Sequence, residues 1–505
     1  MSGLLPFGPG AWVFITLYLL SLIGIGIVGK RARRENSLSD FYLAGSGFGV
    51  PVLFLTLFAT QYSGNTFFAF TGATYRIGYA WITSLHFMTA IVVCYFIYAP
   101  RLYVLAKARN YVTPSDYVHD RFGSNALTII VTITLIIVLS NFLLAQLMAM
   151  GRAMQGLSQI DQDAAYIAGV IVLALIMVIY GTLGGLRAVA WTDAIQGVIL
   201  MFGFSVLLLL LFDIYGPLAD ATNALMSRDL DSGTRMTLPP DALQCREWLS
   251  YILTVGFAGS LYPQAIQRIY AARSAIALRR SLSIMAFMPL PTMIIAVIAG
   301  IMAAAYLPGL EGAASDQVFG QVLREIQAHS TIGYGVVVVL LSAVLAAMMS
   351  TADSALLSIS SMFTKDIYAR FIRPESSQEH LTSVAKTCSW VTIVLLVCLA
   401  IALRYHASLV ALMDRKLDLL IQMVPIFMVG LRWPGLRTTP VLLGLCTGIV
   451  LAMLLAFGEF EFVHKGKVAG FHPGLVAVVP NLAIALIGSH WINSRNNSLA
   501  GLLSM

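Results

Sequence analysis

The chain alternates between long apolar runs and short polar stretches. A helix rises 1.5 Å per residue, so about 20 mostly apolar residues cross the hydrocarbon core of a bilayer. Thirteen runs meet that length: 10–29, 49–75, 79–105, 126–150, 164–183, 188–214, 247–267, 282–306, 333–362, 387–405, 409–431, 437–457 and 472–491. The pattern predicts an all-α polytopic membrane protein of about 13 transmembrane helices. Asp414, Arg415, Lys416 and Asp418 make the start of the eleventh run its most polar stretch. The first run follows no basic segment and precedes no small-residue cleavage site, so it reads as a retained span rather than a signal peptide.

Composition narrows the class. The chain is 58% hydrophobic and only 11% charged, against about 25% charged in an ordinary soluble domain. A soluble enzyme, a disordered chain and a secreted disulfide scaffold are excluded, the last because the five cysteines are scattered through apolar runs. The net charge of +7 does not indicate nucleic acid. Of the chain's 31 basic residues, 20 sit in the connections that follow the odd-numbered runs, all on one side: Lys30, Arg31, Arg33 and Arg34; Arg101, Lys107, Arg109 and Arg121; Arg187; Arg268, Arg273, Arg279 and Arg280; Lys365, Arg370, Arg373 and Lys386; Arg432 and Arg437; and Arg495. The basic side is expected to be cytoplasmic, which puts the N-terminus outside and the C-terminus inside. The longest loop, 215–246, then lies outside with Asp220, Asp229, Asp231 and Asp241. No Walker A sequence is present, so nothing points to an ATP-driven pump or another enzyme.

Polar residues at membrane depth are costly and mark function. In the second run, Thr60 to Thr66 interrupts an apolar helix with Gln61, Ser63, Gly64 and Asn65. One reading is a broken helix whose freed carbonyls line a cavity, as in secondary transporters; the other is an unbroken helix packing a small polar face on its neighbours. In the ninth run Ser350, Asp353 and Ser354 share a face at i, i+3 and i+4, with Thr351 beside them. Such an all-oxygen surface suits a hard cation, although Ser and Thr also bond to their own backbone. Between runs five and six, Gly184-Gly185 precedes Asp193, either an interfacial cap or a cation or proton carrier. Gly256, Gly259, Ser260 and Pro263 mark a second candidate break in the seventh run. No Arg or Lys is placed at the core, so no fixed carboxylate clamp is visible.

The stretches Gly184-Gly185-Leu186 through Thr192-Asp193 with Gln196, Ala347 to Ser354 followed by Lys365-Asp366-Ile367-Tyr368, and Phe58 to Gly64 resemble motifs of the sodium:solute symporter family. The resemblance implies a LeuT-type core of two inverted five-helix repeats and Na⁺-coupled uptake by alternating access. It divides the chain into 1–48 (first span and cytoplasmic loop), 49–214 (first repeat), 215–246 (periplasmic loop), 247–431 (second repeat) and 432–505 (two peripheral spans and tail). It also implies a first Na⁺ site from the carbonyls of Ala59, Tyr62 and Ala347 with the hydroxyls of Ser350 and Thr351. A second Na⁺ site, held by some members, maps onto Asp193, Ser350, Asp353 and Ser354. Solute contacts map onto Gln61, Ser63, Thr66, Thr254, Phe257 and Gln422. Some members carry Asp where Gln61 stands, which implies a changed solute or coupling environment. The stretch Tyr111 to Tyr117 is similar to the monocarboxylate and pantothenate branches.

The expected function is therefore Na⁺-coupled uptake of a small organic solute across a bacterial inner membrane, with an organic acid or amino acid favoured because backbone amides at broken helices attract anions. The alternatives are proton coupling through Asp193 or Asp353, and a solute sensor acting through a partner protein. The expected partners are the solute and the lipid bilayer, with no nucleic acid and no obligatory protein partner.

Overall fold

The computed structural model describes residues 9–62, 64–157, 162–311, 315, 318–329, 331–405, 409–464 and 466–503. The helices that frame the site are α1 (Pro9–Arg31), α2 (Val50–Gln61), α3 (Gly64–Ile77), α4 (Thr83–Arg109), α5 (Asn125–Leu157), α6 (Gln162–Tyr215), α7 (Ala242–Ser260), α8 (Pro263–Ala271), α9 (Pro289–Tyr306), α10 (Thr331–Met362), α11 (Gln378–Ala402), α12 (Leu409–Leu420), α13 (Thr438–Phe457) and α14 (Pro473–Leu503). One two-stranded hairpin, Val463–His464 with Lys467–Val468, is the sheet among the described residues.

The described residues of each of the thirteen predicted runs are mostly helical. Among the described residues, nine stretches are long and apolar enough to cross a membrane by length and composition. The two counts differ because helices break and merge. The second, seventh and eleventh runs are split into shorter pieces, and the fifth and sixth form one stretch, Asp163–Tyr215. That stretch turns at Gly185, with φ 61° and ψ −155°, a backbone region that is essentially glycine's alone. A Cβ at Gly185 would also collide with the Phe41 carbonyl.

The breaks have local causes. Helix α2 ends at Gln61 because Tyr62 leaves helical geometry at φ −113° and ψ 87°, next to Gly64 and Asn65, which favour turns over helix interiors. The seventh run stops at Ser260 and restarts at Pro263, which sits in the first turn of α8 where its missing N–H costs nothing. Both breaks point inward. Helix α10 packs along α6 and α5, and α2, α8 and α3 close around it. The described residues of α10 from Leu340 to Met362 are buried without interruption. Large apolar side chains such as Leu17 and Val13 on α1, Phe202 on α6 and Leu395 on α11 face outward, as a lipid-facing surface requires.

Outside this bundle, the 215–246 connection folds into the helix Leu218–Ser232 and a turn gathered on Asp229. Its carboxylate accepts from the Met236 amide at 3.0 Å, the Thr237 amide at 2.8 Å and the hydroxyls of Thr234 and Thr237. Burial alone raises this group's pKa, but the four hydrogen bonds win and bring it down to about 2. At the opposite end, Lys365 pairs with Asp116 at 2.6 Å and Thr113 donates to Asp366 at 2.8 Å, so the Tyr111–Tyr117 stretch lies against the segment that follows α10.

Candidate functional site

The break after α2 faces the middle of α10. A helix end leaves its last carbonyls without intrahelical donors. One of these, Ala59 O, receives the Thr351 hydroxyl at 3.2 Å, and the same hydroxyl lies 2.9 Å from Ala347 O. Three of the five groups mapped to the first Na⁺ site are thus in direct contact. Tyr62, at the break, is buried with its ring stacked on Phe58 at 4.7 Å. Ser350 turns elsewhere and donates to the Asp193 carboxylate.

Asp193, fully buried on α6, is the centre of a second cluster. It accepts from the hydroxyls of Ser350 on α10 and Thr56 on α2, and pairs with Arg268 of α8 at 2.9 Å. Arg268 is 1% exposed. Its guanidinium also donates to Thr56 Oγ1 at 2.7 Å, to Ser354 Oγ at 2.6 Å and to the Gln264 carbonyl at 3.1 Å. Four helices therefore meet on one ion pair. The sequence reading put Arg268 in a cytoplasmic connection and saw no basic residue at the core; the structure corrects both points. The signal was available in the position of Arg268, five residues after Pro263, on an α8 whose every residue is buried. Arg187, also counted as a connection charge, is buried against Asp40 at 2.8 Å.

Asp353 differs from Asp193 although both lie in the mapped second site. It is 1% exposed, and among the described residues neither of its carboxylate oxygens has a hydrogen-bond partner. It packs against Gly181 of α6, where a Cβ would collide with the carboxylate. A buried carboxylate left unpaired is costly, so the position suits a cation or a proton.

Beside the α2 break lies a cavity of about 200 Å³. Gln61 and Thr66, two of the mapped solute contacts, line it together with Thr60, Phe142, Gln146 and Lys416. Gln61 is held by donating to Tyr95 at 2.5 Å and to Gly259 O, at the end of α7, at 3.2 Å. Ser63 lies outside the described residues. Thr254 and Phe257 are not in the lining; Val255 and Gly259 of the same helix are. Gln422 is also away from the cavity. It donates to Gly474 O at 2.9 Å and accepts from Asn481 at 3.1 Å, which ties the end of α12 to α14. Sequence reasoning missed Lys416 and Gln146 as cavity groups, although both are polar residues within predicted runs. Among the described residues no three His, Cys, Asp or Glu side chains gather as a transition-metal site requires.

A family model for the sodium:solute symporter family matches residues 41–448. The sodium/pantothenate symporter of Escherichia coli strain K12 is 24% identical over 477 residues, covering 94% of each chain. The sodium/proline symporter of Haemophilus influenzae is 28% identical over 392 residues, 74% of each chain. The fold is that of a Na⁺-coupled sialic acid symporter solved in a substrate-bound outward-open state, with a TM-score of 0.77 at 18% identity, over 96% of this chain and 98% of that one. The chain belongs to the sodium:solute symporter family. It is an integral membrane protein with a LeuT-type fold, a secondary active transporter that couples Na⁺ movement to uptake of a small organic solute, and not an enzyme.

Proposed function

We propose that, in this symporter, Na⁺ binds where the broken α2 meets α10, and that the solute occupies the adjoining cavity. The ligands are the carbonyls of Ala59, Tyr62 and Ala347 with the hydroxyls of Thr351 and Ser350. One observation carries the reading: the Thr351 hydroxyl touches carbonyls on both helices, so an ion at this point joins α2 to α10. Those helices belong to different repeats of the division 49–214 and 247–431, and an ion that prefers their joined arrangement couples its own gradient to the solute-competent state. In a bacterial inner membrane, with the N-terminus outside and the C-terminus cytoplasmic, each Na⁺ entering down 100 mV supplies about 2.3 kcal/mol.

The cavity's solute contacts in this reading are Gln61 and Thr66, with Ser63 between them in the sequence and Thr254 and Phe257 on α7 next to its lining residue Val255 and near Gly259. Gln422 acts indirectly by fixing α12. Asp193, neutralised by Arg268, holds the four helices in register with Ser350 and Ser354. Asp353 supplies the second cation position. The orphan state of its carboxylate also favours a second reading, in which it carries a proton.

A thermal-shift titration of the purified protein in NaCl against KCl tests the first site. Na⁺-specific stabilisation is expected in the wild type, growing as RT ln(1 + [Na⁺]/Kd), and strongly weakened in Thr351→Ala. Equal stability in the two salts would sink the assignment.

A further inference from the structure

Resting on the reading of the cavity as the solute site, we propose that Lys416 is its anion anchor, so that the transported solute carries a carboxylate on a largely apolar body.

Lys416 is 2% exposed and lines the cavity. Its ammonium lies 3.6 Å from the centre of the Phe142 ring and 5.3 Å from that of Tyr262. These two rings stack at 5.3 Å with 14° between their planes. Among the described residues, no carboxylate pairs with it. Of the acids on its own helix, Asp418 pairs with Arg415 at 3.1 Å and accepts from the Gly474 amide at 2.7 Å, while Asp414 lies 3.8 Å from His472 and attracts the Lys416 ammonium through space without pairing with it. A desolvated cation–π contact is favourable, but removing an ammonium from water costs more than one such contact returns. The aromatic pair offsets only part of that cost, and an anion in the cavity supplies the rest.

A second, independent group points the same way. Gln146 is fully buried on α5 and lines the same cavity, and neither its amide nitrogen nor its amide oxygen has a partner among the described residues. Its NH₂ offers the carboxylate a second donor, and its oxygen takes a hydroxyl or amide of the solute. The remaining charges on the lining are Arg76 and Asp414. Arg76 is bonded to Ser315, and Asp414 is itself an anion, so Lys416 is the cation left for an anionic solute. Phe70, Phe87, Met88 and Ile91 form the apolar wall. A free carboxylate in an apolar-walled pocket matches that pairing of one cation with one amide.

The test measures thermal stability of the full chain in NaCl and in KCl. Propionate, benzoate and phenylacetate are added up to 100 mM, each against its neutral amide. At least one carboxylate is expected to stabilise the wild type more than its amide does, and more so in Na⁺. Lys416→Met should lose that preference by about tenfold in apparent affinity while keeping Na⁺-specific stabilisation. Its own melting temperature should hold or rise, because an unpaired charge has been removed. Lys416→Arg keeps the charge and should keep the preference, which covers the case where the methionine variant does not fold. No carboxylate-over-amide preference in the wild type overturns the anionic solute class. A preference intact in Lys416→Met, or one lost instead in Arg76→Gln, overturns the anchor. Loss of the Na⁺ effect in the wild type is a different failure, that of the symporter site itself.

Discussion

Two buried carboxylates, Asp193 and Asp353, share one stretch of the core and are served in opposite ways. Asp193 has a guanidinium from its own chain at 2.9 Å and two hydroxyl donors. Asp353, one helical turn beyond Ser350 on α10, has neither cation nor donor among the described residues. A charge satisfied by the fold holds helices together. A charge left open must be satisfied by something that arrives. On the proposed reading, the difference separates the part of the core that stays fixed from the part that cycles with the transported ion.

The largest expected effect breaks the satisfied side. Arg268→Met leaves Asp193 buried with no cation, which costs about 3–5 kcal/mol; thermal unfolding in detergent should fall sharply, and Asp193→Asn on that background should recover most of it. If Arg268→Met alone unfolds at the wild-type temperature, the ion pair is not what joins the four helices. The open side should respond in the other direction. Asp353→Asn removes an unpaired charge, so stability in KCl should hold or rise, while stabilisation by Na⁺ shrinks. At 100 times the dissociation constant a bound ion contributes about 2.7 kcal/mol, which sets the ceiling on that loss. An unchanged Na⁺ response combined with a shifted pH dependence of uptake would assign Asp353 to a proton.

Smaller effects sharpen the boundary between the two groups. Thr351→Ala should raise the Na⁺ concentration for half-maximal uptake by roughly ten- to a hundredfold, since a hydrogen-bonding ligand to a charge is worth about 1.5–3 kcal/mol. Ser350→Ala should do this and also weaken Asp193, because its hydroxyl serves that carboxylate. Thr351→Ala altering thermal stability in KCl as much as in NaCl would show a packing role only. The smallest effect lies outside the bundle. The hydrogen-bonded Asp229 has its folded pKa lowered to about 2, so its contribution is fully present above the ordinary carboxylate range and is lost as pH falls from about 4 through 2. Proteolytic susceptibility of the 215–246 connection should rise in that window in the wild type, and already at neutral pH in Asp229→Ala.

Much of this could be read from the residues in order. Gly64 and Asn65 after Gln61, and Pro263 after Ser260, mark both helix breaks because backbone preference is local. The face shared by Ser350, Asp353 and Ser354 follows from helical spacing, although in the folded chain the two serines serve the Asp193 cluster and the aspartate stands apart. The assignment of Arg268 to a connection fails because the seventh run ends at 267, one residue short of it, and the charge reads as the edge of the span, whereas the helix continues to Ala271 with every residue buried. Lys416 was read only as a charge disturbing a run, since nothing in the order of residues shows that Phe142 and Tyr262 wait beside it.

The sequence by itself determined that the chain is a bundle of membrane helices and pointed to two candidate breaks, because hydropathy and turn chemistry act over a few residues. Which buried charges have partners was decided by tertiary structure alone. Arg268 reaches Asp193 across 75 residues and Thr56 across 212, and Lys416 and Asp353 are left open by the same packing. Partnership between charges depends on which helices become neighbours, and in a bilayer the cost of leaving one unpaired makes that choice the difference between a strut and a binding site.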